Sequence, residues 1–182
     1  SVVEHILKPN VPIGSCVLEI GPGAGRWTEY LLKRAGHVVV VDLVPKCIEI
    51  CKKRFDDFNN IEYFINDGTD LSFISANSID CVWSWDVFVH IQCSDVERYI
   101  RQCSTFLAPG GRGVIHHANG WPGKGWMSDI TAEKVATYCG GFELDVIQQF
   151  RSWNDGRDEA PGTCDIVTFF GKPISSEKPR SG

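Results

Sequence analysis

Short apolar runs of strand length alternate along this chain with stretches whose apolar residues recur at helical spacing. Val17 to Ile20, the β-branched run Val38 to Val41, Ile61 to Ile65, Ile79 to Trp85 and Gly113 to His117 read as five strands. Between them, Trp27, Tyr30 and Leu31 mark a helix that stops at Gly36. Pro45 opens a second helix, carrying Ile48, Ile50 and Phe55. Ser94 and Glu97 form a capping-box pattern ahead of a third, through Tyr99, Ile100 and Leu107, which Pro109-Gly110-Gly111 breaks before the fifth strand. Thr131 caps a fourth, ended by Gly140-Gly141.

Strand and helix in alternation predict a parallel sheet with helices on both faces. Two extended runs remain, Phe142 to Phe150 and Cys164 to Phe170, joined by a segment holding Asn154, Asp155, Gly156, Pro161 and Gly162. No crossover helix fits there, so the runs are expected to pair as an antiparallel hairpin. The predicted fold is α/β: a doubly wound, mostly parallel seven-stranded sheet with an antiparallel closing hairpin.

With 182 residues, 43% hydrophobic and 23% charged, the chain suits one domain, expected over residues 1–172, with a polar, flexible tail over 173–182. The formal charge of −5 and the lack of a basic stripe argue against a nucleic-acid partner. No apolar run approaches the roughly 20 residues that span a bilayer, so no membrane association is expected. Cys16, Cys47, Cys51, Cys81, Cys93, Cys103, Cys139 and Cys164 form no C-x-x-C pair. Several sit inside apolar runs, where a free Cys acts as a small buried hydrophobe, and a reducing, cytoplasmic setting is expected.

The first strand ends in the turn Gly21-Pro22-Gly23-Ala24-Gly25. A dinucleotide fingerprint needs G-x-G-x-x-G, and its last glycine is replaced here by Arg26. The second strand ends in Asp42, placed to accept both hydroxyls of a ribose, as in Rossmann dehydrogenases.

The run from Val17 to Gly25 resembles the first motif of class I S-adenosylmethionine (SAM) dependent methyltransferases. Asp67-Gly68 after the third strand, the segment Trp85 to Ile91, and Leu107 to Gly111 resemble later motifs of that family, in order, over residues 14–172. The resemblance implies a Rossmann-like sheet whose cofactor is SAM, with S-adenosylhomocysteine (SAH) as product. It further implies that Gly21, Gly23 and Gly25 let the backbone approach the methionine moiety and that Glu19 lies near its amino group. Asp42 and Leu43 would meet the ribose, Asp67 and Gly68 the adenine, and Asp86 would line the cofactor site. Many family members build an acceptor lid from N-terminal helices. Only 15 residues precede Cys16 here, so the chain is expected either to be minimal or to lack its lid.

Methyl transfer needs an aligned acceptor and, for a hydroxyl, removal of a proton. His90, after the fourth strand, is one candidate base. Of His116 and His117, adjacent residues that must face opposite sides of the sheet, His117 is favoured because it lies nearer the strand end. Trp121, Trp126, Arg151 and Trp153 are expected to line the acceptor site. No metal is expected, because the neighbourhood of Asp86, His116, His117 and Asn119 lacks a second carboxylate at the end of the fifth strand. The expected function is methylation of a polar small molecule, preferentially on a hydroxyl oxygen of a metabolite or sugar-like compound. The alternatives are a SAM-binding scaffold without activity, or an N-methyltransferase acting on a small molecule or protein.

Overall fold

The computed structural model describes residues 1–120, 128–153, 156–160 and 164–174. A short π-helical turn, Val3–Leu7, runs into α1 (Lys8–Asn10) and then the first strand. The core elements are β1 (Cys16–Ile20), α2 (Thr28–Leu32), β2 (His37–Asp42), α3 (Pro45–Arg54), β3 (Ile61–Ile65) and β4 (Ile79–Phe88). They continue with α4 (Cys93–Phe106), β5 (Leu107–His117), α5 (Ala132–Gly141) and β6 (Asp145–Phe150). A two-residue ladder, β7 (Ser152–Trp153) with β8 (Asp158–Glu159), precedes β9 (Ile166–Gly171).

The main sheet has seven strands in the order β3-β2-β1-β4-β5-β9-β6. β1 to β5 pair in parallel, and β9 runs antiparallel to both β5 and β6. The expected closing hairpin is therefore present, and its connection leaves β6 at the same end of the sheet as the loops after β1 and β4. The strand order reverses between β1 and β4. That switch point opens a crevice at the carboxyl ends of the strands, the usual ligand site of open α/β sheets.

Val38, Val40 and Val41 are completely buried, which explains the unbroken β-branched run of β2. Each such side chain contributes about 1.5–3 kcal/mol by leaving water. On one face of the sheet, Leu18, Val82, Ile115 and Phe170 pack on α4 and α5 through Ile100, Phe106 and Val135. On the other, Val17, Val38, Trp83 and Val114 pack on α2, α3 and the N-terminal turn through Leu31, Ile48 and Ile6. Layer contact is tight at Gly113, where any Cβ would enter the Phe170 ring.

Three local expectations are corrected. The Ser94–Glu97 capping box does not form: α4 starts two residues earlier, with Gln92 as an N-cap lacking a side-chain cap bond. A carboxylate from elsewhere takes over, as the Cys93 N–H donates to Asp129 Oδ1 at 2.9 Å, where negative charge favours the helix N-terminus. Pro109-Gly110-Gly111 does not precede β5 but bulges within it, between the pairings Ile79–Leu107 and Cys81–Arg112. Finally, β4 runs past Trp85 to Phe88 through a register shift at Asp86, whose φ of 61° is left-handed. The Thr131 cap is present, accepting from the Lys134 N–H at 3.1 Å. Among the described residues no helix is long and apolar enough to cross a membrane.

Candidate cofactor and acceptor cleft

The crevice at the switch point is a cleft of about 670 Å³, large enough for a nucleoside-sized ligand. Its floor is the glycine turn. Gly21, Gly23 and Gly25 all have positive φ, but they do different work. A Cβ on Gly21 would collide with Val87, and one on Gly25 would sit 2.5 Å from the Phe55 ring, so these two let protein pack on protein. A Cβ on Gly23 would meet nothing within 4 Å, so its backbone is open to a ligand. Gly21 and Gly23 line the cleft, whereas Gly25 lies outside its described lining.

Asp42 and Leu43 line the cleft at the end of β2. Asp42 Oδ1 accepts from the Val44 N–H at 2.8 Å, which fixes the carboxylate and leaves it lone pairs for a diol. Leu43 and Val44 are exposed large apolar side chains at the rim, a wall for a flat ring. Gly68 lines the same end, but the expected Asp67 does not. Its Oδ1 is turned into its own loop, accepting from the N–H groups of Thr69 (2.9 Å) and Asp70 (2.8 Å). Those bonds hold the carboxyl below its usual range. In its place Asn66 and Tyr99 reach the cleft, with Asn66 Nδ2 donating to the Tyr99 hydroxyl at 3.3 Å.

Glu19 is also displaced from its expected place. It is 1% exposed and lies beneath the turn, accepting from Thr28 Oγ1 at 2.6 Å. Burial raises its pKa to about 8, partly opposed by the Thr28 bond, so the acid is protonated at neutral pH. It supports the turn from below and is absent from the described lining.

At the other end stand Asp86, Arg26 and His90. Asp86 Oδ1 is 3.1 Å from His116 Nδ1, and Oδ2 is 3.7 Å from Arg26 Nη1. Its carboxyl is held below the ordinary range, first by the His116 hydrogen bond and then by the nearby positive charges, against the opposing effect of burial. His90 is exposed on the cleft wall, with its backbone N–H bonded to the Val87 carbonyl at 2.9 Å.

Neither His116 nor His117 is in the described cleft lining. His117 points into the α4/α5 side of the core, completely buried. Its Nδ1 lies 2.6 Å from the Ala118 carbonyl and its Nε2 2.7 Å from Thr168 Oγ1. A carbonyl only accepts, so Nδ1 carries the proton and Nε2 accepts from Thr168. Burial lowers its pKa to about 4, and it has no access to the cleft. His116, on the other face, stacks on Trp85 behind the cleft wall, ring centroids 4.9 Å apart.

Trp121 and Trp126 lie outside the described residues. Arg151 and Trp153 are absent from the described cleft lining: Arg151 Nη2 is 3.7 Å from Glu159, and Trp153 packs edge-on against Trp85 at 6.2 Å. Sequence reading missed the aromatic layer of Trp27, Trp83 and Trp85, in which the last two stack at 5.6 Å. The available signal was their i, i+2 spacing on one strand, which puts both on the same face. Among the described residues no cluster of His, Cys, Asp and Glu is arranged to hold a metal, and Asn119 Oδ1 is engaged by the Ala132 N–H.

A family model for a methyltransferase domain matches residues 17–111, and the chain belongs to the class I SAM-dependent methyltransferases. Ubiquinone biosynthesis O-methyltransferase of Xanthomonas axonopodis pv. citri (strain 306) is 25% identical over 135 residues, covering 74% of this chain and 56% of that protein. Phosphoethanolamine N-methyltransferase 1 of Triticum aestivum is 35% identical over 107 residues, covering 58% of this chain and 22% of that protein. The chain thus spans about half the length of the first relative and about a fifth of the second. Among solved structures, N-methyltransferase NodS from Bradyrhizobium japonicum WM9, in complex with SAH, superposes with a TM-score of 0.71 at 22% identity. That match covers 88% of this chain and 79% of NodS, and it bears on the fold alone.

Proposed function

We propose that this protein transfers a methyl group from SAM to a small polar acceptor, with a hydroxyl oxygen preferred. The observation that carries the reading is the turn at Gly23, open to a cleft that has Asp42 at one end and the Asp86–Arg26 pair at the other. The donor set fits SAM in both shape and charge. Asp42 suits a ribose diol, and Leu43 with Asn66 and Tyr99 suits an adenine. Asp86 and Arg26 together suit the ammonium and carboxylate of an amino-acid end. NodS, which shares the fold, was solved with SAH bound, in keeping with SAM as the methyl donor.

Bound there, SAM would supply a methyl carbon already activated on a sulfonium. The chain's own residues have to orient, exclude water and manage a proton. Trp27, Trp85 and Val87 give the cleft wall an apolar surface. His90, in the same wall, is placed to take the proton of a hydroxyl acceptor. The relatives include both O- and N-methyltransferases, so amines belong beside alcohols and phenols in any acceptor screen. The net charge of −5 favours a small molecule over a nucleic acid.

Isothermal titration of the purified chain with SAH, with NAD as the comparison ligand, tests the reading. Saturable binding of SAH alone supports it. Binding of NAD alone would sink it, and binding of neither would favour a domain without its own activity.

A further inference from the structure

Three ionisable side chains stand in a row that runs from the cleft wall into the interior. His116 is fully buried, with Nδ1 3.1 Å from Asp86 Oδ1 on the cleft side and Nε2 3.5 Å from Asp165 Oδ2 on the other. Asp165 precedes β9 and is more than nine-tenths buried. Trp85 lies flat on the imidazole, with 19° between the planes, which fixes the plane of the ring. His116 Nε2 and Asp165 Oδ1 have no hydrogen-bond partner among the described residues. Polar atoms buried without partners are costly, and the acceptor that faces Nε2 is Asp165 Oδ2 at 3.5 Å.

The cleft side carries a second constraint. Nδ1 is 3.1 Å from the Asp86 carboxylate and 3.2 Å from the backbone N–H of the same residue. A bare Nδ1 accepts from that N–H and leaves the carboxylate unheld. A protonated Nδ1 can only donate, and the carboxylate is then its acceptor. With Asp86 beside Nδ1 and Asp165 beside Nε2, each ring nitrogen has a carboxylate oxygen within 3.5 Å to which it can donate. The other charged groups nearby are Arg26, 3.7 Å from Asp86, and Arg151 and His90, which act on Asp165 through space. His117 adjoins on the same strand and faces the opposite side of the sheet. Among the described lining residues, Asp42 and Asp86 are the two carboxylates, and Asp42 belongs to the ribose end.

We propose that His116 and Asp165 are positioning residues for cofactor binding: clamped between two carboxylates, His116 pins Asp86 where it receives the α-ammonium of the amino-acid end. This rests on the reading of the cleft as a SAM site. Neither residue touches the ligand. They act through Asp86, whose left-handed backbone turns its side chain toward both the cleft and the buried ring.

The test compares SAH with 5′-methylthioadenosine, which keeps the nucleoside but lacks the amino-acid end, by isothermal titration. His116→Leu should weaken SAH roughly tenfold or more, as expected for losing a hydrogen bond to a charged group, and leave 5′-methylthioadenosine within about twofold. His116→Asn, which retains a donor near the position of Nδ1, should recover most of the SAH affinity. Asp165→Asn should fall between. Asp86→Asn lies at the cleft surface and should reproduce the selective loss even where the core variants fail to fold. Equal weakening of both ligands, or unchanged SAH affinity, in folded variants would overturn the proposal. Equal affinity of the native protein for the two ligands would remove the role of Asp86. If the native protein binds neither, the cofactor reading itself fails and the proposal falls with it.

Discussion

The Thr28 hydroxyl donates a 2.6 Å hydrogen bond to Glu19 beneath the glycine turn, joining the start of α2 to the end of β1. The acid sits in a buried pocket with its other oxygen unpartnered among the described residues. The turn above the bond is therefore braced by a neutral carboxylic acid, which has a consequence for stability.

The pKa of Glu19 rises from 4.5 in the unfolded chain to about 8 in the folded one. Below the lower value both states are protonated. Between the two values the unfolded chain has released a proton that the folded chain keeps, so stability should fall as pH rises through this window. The loss should be on the order of a few kcal/mol. Urea denaturation of Glu19→Gln between pH 5 and 8 should show a flatter profile than the native protein. Identical profiles would mean that Glu19 ionises without penalty.

Asp42→Ala should weaken SAH by about 1.5–3 kcal/mol, the range for a hydrogen bond to a charged group. Its effect on the melting temperature should be small, because the carboxylate lies at the cleft and holds the Val44 N–H and the Cys47 thiol near the surface. Titration calorimetry checks this, and unchanged affinity would rule out the ribose assignment.

Gly23→Ala and Gly25→Ala should separate binding from folding. Both positions have positive φ and share that strain. Alanine at Gly25 also drives Cβ into Phe55 and should lower the melting temperature clearly. Alanine at Gly23 meets no protein atom within 4 Å and adds its methyl group to a turn that lines the cleft. Its larger effect should therefore be on SAH affinity; equal effects on both properties in the two variants would refute the division of labour.

His90→Ala should preserve SAH affinity and lower the methyl-transfer rate roughly 10²- to 10⁴-fold if the imidazole is the base. His117→Ala should behave differently. It leaves the Ala118 carbonyl and the Thr168 hydroxyl without their ring partner and opens a cavity, for a loss of roughly 2–5 kcal/mol of stability. Parallel melting and turnover measurements would show the contrast. A stable His117→Ala protein with a selectively lost rate would restore His117 as a base candidate.

Local pattern was enough for much of this protein. The β-branched run at Val38 to Val41, the glycine turn after Ile20 and the helix-free connection before Cys164 each carry their meaning within a few residues, through steric preference and hydrophobic period. The alternating elements, the closing hairpin and the place of Asp42 at a strand end follow from them. What the tertiary structure decided is where side chains point and what surrounds them. Adjacent strand residues face opposite sides, so the choice between His116 and His117 depended on register against β4 and β9. The displacement of Asp67 by Asn66 and Tyr99 arose from a hydrogen-bonded turn meeting a helix 33 residues away in sequence. The neutral state of Glu19 and the Asp86–His116–Asp165 row come from burial, which requires the packed layers of the whole domain.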